Sequence, residues 1–135
     1  IQAAILQVKF KAFVDYELEK VNQIDKSYTE KLKDKVKTPI TPDGYYSSWA
    51  QYTIQLENKK QRDALQEKLK EHGIPTMIYY PKPMHEQIAF EDIASKVNDL
   101  SVTEDLCKRV LSLPMHPYLE EKSIAEICEN IRRGK

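Results

Sequence analysis

The chain has 135 residues, enough for one domain with its own core, and its 21 basic and 21 acidic side chains cancel. No net field exists to draw in nucleic acid or an anionic membrane surface, so neither partner is expected. The 2 cysteines, Cys107 and Cys128, lie in helix-like segments without the spacing of a zinc site or the density of a disulfide framework. A reducing, cytoplasmic setting is expected and no metal ligand is assigned.

The opening stretch is apolar but is interrupted by Gln2, Gln7, Lys9 and Lys11, which excludes a membrane span and argues against a signal peptide. Residues 1–6 read as helix interior, with no Ser, Thr, Asp or Asn ahead of them to cap the first amides, so the helix is expected to continue upstream. From Val14 the apolar positions form one stripe, Val14, Leu18, Val21, Ile24, Tyr28 and Leu32, three or four apart as an amphipathic helix requires. Before it, Ile1, Ile5, Leu6, Val8, Phe10 and Phe13 occupy nearly all sides of the helix. Such a segment is covered by something outside the chain, or else it self-associates or sits deeper in its own core.

Residues 37–44 carry two prolines and a glycine and end that helix. Residues 49–56 alternate, with Ala50, Tyr52, Ile54 and Leu56 on one face and Gln51, Thr53 and Gln55 on the other, the period of a half-buried strand. Asn58 and Gln61 have the spacing of a capping box for the next helix, which Gly73 closes. Residues 74–80 are short and rich in β-branched and aromatic side chains, predicting a second strand that Pro81 and Pro83 must stop. A short helix is expected over residues 90–97, and Ser101 with Glu104 has the form of a second capping box, opening a helix to about Val110. A brief strand over residues 110–113 and a last helix over 119–133, burying Ile124, Ile127, Cys128 and Ile131, complete the chain. The sum is an α+β unit: a small three-stranded sheet covered by helices, with a long N-terminal helix.

Autonomous catalysis finds little support. There is no P-loop, GxGxxG, GxSxG or HExxH pattern, and no catalytic or cofactor-binding residue is assigned. His72 beside Gly73 suits a helix C-terminus, and His116 a tight turn. The loop at residues 79–87 differs, because it gathers two phenols, an ammonium, an imidazole and an amide on a backbone stiffened by prolines. Those groups suit a polar ligand with hydroxyls and phosphates, but an ordinary turn with half-packed tyrosines accounts for them equally well.

The order Ile1-Gln2-Ala3-Ala4-Ile5-Leu6, Trp49-Ala50-Gln51-Tyr52-Thr53-Ile54, Gly73-Ile74-Pro75-Thr76, Tyr80-Pro81-Lys82-Pro83-Met84-His85-Glu86-Gln87 and Leu111-Ser112-Leu113-Pro114-Met115-His116-Pro117-Tyr118-Leu119 resembles the C-terminal part of DegT/StrS aminotransferases. The likeness runs from end to end, and is nearest to members that make 3-amino sugars on nucleotide-linked uronic acids for surface polysaccharides. The resemblance implies the C-terminal small domain of a fold-type I transferase dependent on pyridoxal phosphate (PLP). Such enzymes are usually homodimers that move an amino group from glutamate to a nucleotide-linked keto sugar. It implies residues 1–36 as an interdomain helix, residues 45–135 as the α+β unit, and a large PLP-binding domain, with its Schiff-base lysine, absent from this chain. The chain alone is then expected to bind no PLP and to be inactive. The loop matching residues 79–87 closes over the substrate side in the family, which makes Tyr80 and His85 substrate-contact candidates; Tyr79 joins them, although many relatives carry histidine there. Two other readings stay open: a free-standing binding or regulatory module with the small-domain fold, and PLP-dependent sugar deoxygenation.

Overall fold

The computed structural model describes residues 1–92 and 99–133. A helical rod opens the chain: α1 (Gln2–Ala12), one π-helical turn (Phe13–Glu17) and α2 (Leu18–Leu32) follow without a break. In the π turn the Leu18 amide reaches back to the Phe13 carbonyl, five residues earlier. That extra residue rotates the preceding helix face by about 100°. The expected stripe therefore holds only in part. Val21, Ile24, Tyr28 and Leu32 are buried, but Val14 is exposed and the Glu17 side chain takes the covered position instead. No residue of α1 is buried, and Ile1, Ile5, Leu6, Val8 and Phe10 all stand in solvent. Among the described residues no helix is long and apolar enough to cross a membrane.

Strand β1 (Tyr52–Gln55) alternates buried and part-buried residues as its sequence requires, although Ala50, ahead of it, is exposed. Helix α3 (Lys59–Glu71) starts at Asn58, whose side chain accepts the Gln61 amide at 3.0 Å. It ends in a Schellman motif: Gly73 has φ 71°, its amide bonds to Lys70 O, and the Ile74 amide bonds to Leu69 O. Helix α4 (Ser101–Arg109) runs directly into β2 (Val110–Leu113), and α5 (Glu121–Arg132) closes the described chain. The expected helix over residues 90–97 falls largely outside the described residues; just before it, Ile88–Phe90 form a 3-10 turn. The two strands pair antiparallel, Tyr52 opposite Leu113 and Ile54 opposite Leu111, and α2, α3 and α5 cover their apolar face. At its centre the Tyr28 and Tyr52 rings stack at 4.9 Å, and the Tyr28 hydroxyl donates to Pro114 O at 3.0 Å.

Of the three expected strands the one over residues 74–80 is not formed: the sheet has two strands, and that segment contributes a single bridge at which Met77 and Ser112 exchange both hydrogen bonds. The register explains why. Two residues to one side, the ladder would pair Pro75 with Pro114, and neither has an N–H to give. Two residues to the other side the partner would be Val110, whose amide already bonds to Leu106 O at the end of α4 and whose carbonyl accepts from Arg62.

The second capping box is also corrected. Ser101 lies inside the first turn of α4 and Leu100 makes no side-chain cap; the Asp99 carboxylate accepts the Ser101 amide and hydroxyl, both at 3.0 Å.

Candidate functional site

The loop at residues 79–87 leaves the edge of β2 at the Met77 bridge and turns back toward α4. Pro83 is buried and anchors it; a 3-10 turn, Met84–Glu86, then closes on the Pro83 and Met84 carbonyls. Tyr79 and Tyr80 stand exposed before this anchor, their rings edge to face at 6.0 Å. His85 behaves differently. Its Nε2 lies 3.1 Å from the Glu104 Oε1 on α4, and the two side chains are only 17% and 24% exposed. A shallow depression of about 410 Å³ is lined by Lys82, His85, Glu86, Gln87, Ile88 and Glu91.

The structure therefore brings the predicted residues together as two groups, the exposed tyrosine pair and the sheltered histidine. Among the described residues no hydrogen bond or ring contact joins either tyrosine to His85. The sequence pattern missed Glu104, because its spacing from Ser101 read as a helix cap. His85, Glu86 and Glu104 also bring their donor atoms within 4.8 Å of one another, the one group of described His, Cys, Asp and Glu side chains close enough to share a cation. Two of those three donors already satisfy each other as a hydrogen-bonded pair.

His72 and His116 fall where the sequence put them. The His72 Nδ1 lies 2.8 Å from Lys68 O at the end of α3, and the His116 carbonyl accepts the Leu119 amide across a turn.

A second polar cluster was not foreseen at all. The carboxylate of Glu17, 4% exposed in the π turn, accepts from both Lys9 Nζ and the Tyr118 hydroxyl, and Lys9 also meets that hydroxyl at 2.8 Å. Lys9 and then Tyr118 hold the Glu17 carboxyl below its ordinary range, and Glu17 above all pushes the Lys9 ammonium upward. Lys9 and Tyr118 are 109 residues apart, so nothing local in the sequence announces the contact.

Residues 1–132 match the DegT/DnrJ/EryC1/StrS aminotransferase family. The chain is 42% identical to a pleiotropic regulatory protein of Geobacillus stearothermophilus, covering 97% of this chain and 35% of that one. It is 37% identical to the UDP-2-acetamido-2-deoxy-3-oxo-D-glucuronate aminotransferase of Pseudomonas aeruginosa, covering 95% and 34%. Among solved structures, a DegT DnrJ EryC1 StrS aminotransferase from Brucella abortus superimposes with a TM-score of 0.84 at 44% identity, over 93% of this chain and 33% of that one. The chain belongs to the DegT/DnrJ/EryC1/StrS aminotransferase family and spans about a third of the length of these relatives.

Family membership raises the question of PLP, which such enzymes hold through a lysine that must react as a neutral amine. None of the described lysines is buried, and Glu17 and Tyr118 hold Lys9 toward its charged form. Desolvation would be needed to move it the other way. No described lysine is thus desolvated as a neutral PLP-anchoring amine requires, and no step through that cofactor is derived from these residues.

Proposed function

We propose that this chain is the C-terminal small domain of an enzyme that uses PLP to move an amino group from glutamate to a nucleotide-linked keto sugar. The observation that carries this reading is the family match over residues 1–132, in relatives about three times as long. On this reading residues 1–36 are the interdomain helix and residues 45–135 the small α+β unit. A large domain outside this chain supplies the lysine and covers α1, and the exposed apolar side chains of α1 support that arrangement. PLP, when bound there, supplies the electron sink for amine transfer. The loop bearing Tyr79, Tyr80 and His85 meets the sugar, with exposed phenols available to donate and accept hydrogen bonds and an imidazole held in place. The enzyme is a cytoplasmic homodimer, to which the free, buried Cys107 and Cys128 are suited as reduced thiols.

The test is an assay of the full-length protein with PLP, glutamate and a UDP-linked 3-keto sugar. Formation of the amino sugar with 2-oxoglutarate is expected. Turnover without nitrogen transfer, releasing a deoxy sugar, would replace this reading with sugar deoxygenation. The 135-residue chain alone, mixed with PLP and borohydride, is expected to show no single labelled lysine by mass spectrometry.

A second reading has one observation in its favour, the regulatory description carried by the Geobacillus relative. A protein that neither binds PLP nor turns over any nucleotide sugar, while retaining the fold, would support a binding or regulatory role instead.

A further inference from the structure

Glu104 lies outside the loop, and its sequence position marks it only as a candidate cap. In the structure the Asp99 carboxylate receives the Ser101 amide and hydroxyl at the start of α4. The Glu104 side chain instead faces His85. We infer that Glu104 is a positioning residue for substrate recognition: it fixes the His85 ring in one tautomer, so that His85 reads a hydroxyl of the sugar. This rests on the reading above, in which the loop meets the sugar.

The chemistry follows from the inventory of donors. An ionised carboxylate only accepts, so the nitrogen facing Glu104 at 3.1 Å, Nε2, carries the hydrogen. A neutral imidazole has one N–H, which leaves Nδ1 as an acceptor. An acceptor pairs with a hydroxyl donor; the oxygens of a diphosphate or a sugar carboxylate offer it none. In its neutral form His85 therefore selects for a hydroxyl or N–H donor, and the charged oxygens of a nucleotide sugar are met elsewhere. The support is rigid, because α4 passes directly into β2 and Arg109, at its end, bonds to Leu56 O at 3.1 Å. Carboxylate partners of this kind hold metal-bound histidines in one orientation by the same means. With both side chains mostly sheltered from water, their charge-assisted bond is little weakened by solvent.

The experiment compares Glu104→Ala, Glu104→Gln, His85→Gln and the Glu104→Ala/His85→Gln double variant in the full-length enzyme. Glu104→Ala is expected to raise KM for the sugar nucleotide about tenfold, the scale of one lost charge-assisted hydrogen bond, with KM for glutamate unchanged. Glu104→Gln, whose amide oxygen still accepts from Nε2–H, should recover most of the loss. The double variant should be no worse than His85→Gln alone. Nitrogen NMR of the imidazole should show His85 as the Nε2–H tautomer in the wild type and as a mixture in Glu104→Ala. An unchanged sugar KM in His85→Gln would remove the loop from the substrate site and take the underlying reading with it. A raised KM in His85→Gln with none in Glu104→Ala would sink the role of Glu104 alone. Glu104→Ala that impairs both substrates alike and leaves the His85 tautomer intact would make the pair a mere latch between loop and helix, which also overturns the inference.

Discussion

Side chains with no part in the proposed site still make sharp predictions at the scale of single residues. Burial pushes the Cys128 thiol up to about 11 and raises that of Cys107, so neither forms the thiolate that reacts at neutral pH. Ellman's reagent is expected to find no reactive thiol in the folded chain and 2 after denaturation. A fast native reaction would contradict the burial of both. Glu17 makes a different prediction. Its carboxyl is held low by Lys9 and Tyr118, and a depressed folded value contributes stability that is fully present above the unfolded value, about 4.3, and is lost as pH falls through the folded one. Glu17→Gln keeps the side-chain size but removes that titration. Its denaturant-unfolding stability should therefore lose part of the acid-side decline that the wild type shows, and an unaltered acid limb would dismiss the clamp. The burial of Cys128 was readable from its place in the apolar stripe of α5, whereas Cys107 was placed in a helix without a burial reading. The clamp was not readable, since its members meet only after the whole chain has folded.

At the scale of elements, local chemistry was legible at both ends of α3 but not at the start of α4, where Asp99 rather than Ser101 receives the first amide. Asn58 and Gly73 bracket α3 as their residue types require, and each can be tested alone. Asn58→Ala removes the acceptor of the Gln61 amide and should cost about 1 kcal/mol. At Gly73 a new Cβ would meet nothing within 4 Å, so Gly73→Ala should cost about 1 kcal/mol through its positive φ alone. Urea unfolding midpoints measure both, and a Gly73→Ala variant as stable as the wild type would refute the left-handed assignment. Legibility failed where two segments had to agree. Residues 74–80 have strand-like composition, yet a strand is a property of a pair. The partner's Pro114 and the committed Val110 amide leave room for one bridge only. The same limit hid the π turn: a stripe through Val14 fits an unbroken α-helix, and nothing in the spacing shows where one residue is inserted. It also hid the partner of His85, because the spacing of Glu104 from Ser101 read as a helix cap and its contact with the loop spans 19 residues. The loop was therefore readable as a group of residues, and its geometry was not.

At the scale of the whole molecule the chain divides at the π turn into a covered part and an uncovered part. Everything that packs lies beyond it: the core runs from Ile24 through Ile131, and α1 contributes no buried residue. What ties α1 to the rest is mainly polar, the Lys9 ammonium on Glu17 and Tyr118, with the Phe10 ring stacked on Phe13 of the π turn beside it. Side chains that bury no surface add little hydrophobic stabilisation, so deleting residues 1–12 should leave the remainder folded, with the same cooperative unfolding and only a small change in midpoint. The same deletion removes Ile1, Ile5, Leu6, Val8 and Phe10, each of which exposes at least 64% of its surface. Exposed apolar side chains clustered along one helix bind apolar dyes and promote association. The full 135-residue chain should accordingly enhance the fluorescence of an apolar dye in its folded state, and the shortened chain should not. Ile5→Lys with Leu6→Lys should reduce the signal without shortening the helix, since lysine has good helix propensity. If the deletion instead unfolds the domain, α1 supports the core through contacts that its exposure conceals. The proposal that a neighbouring domain covers it would then lose its main physical argument.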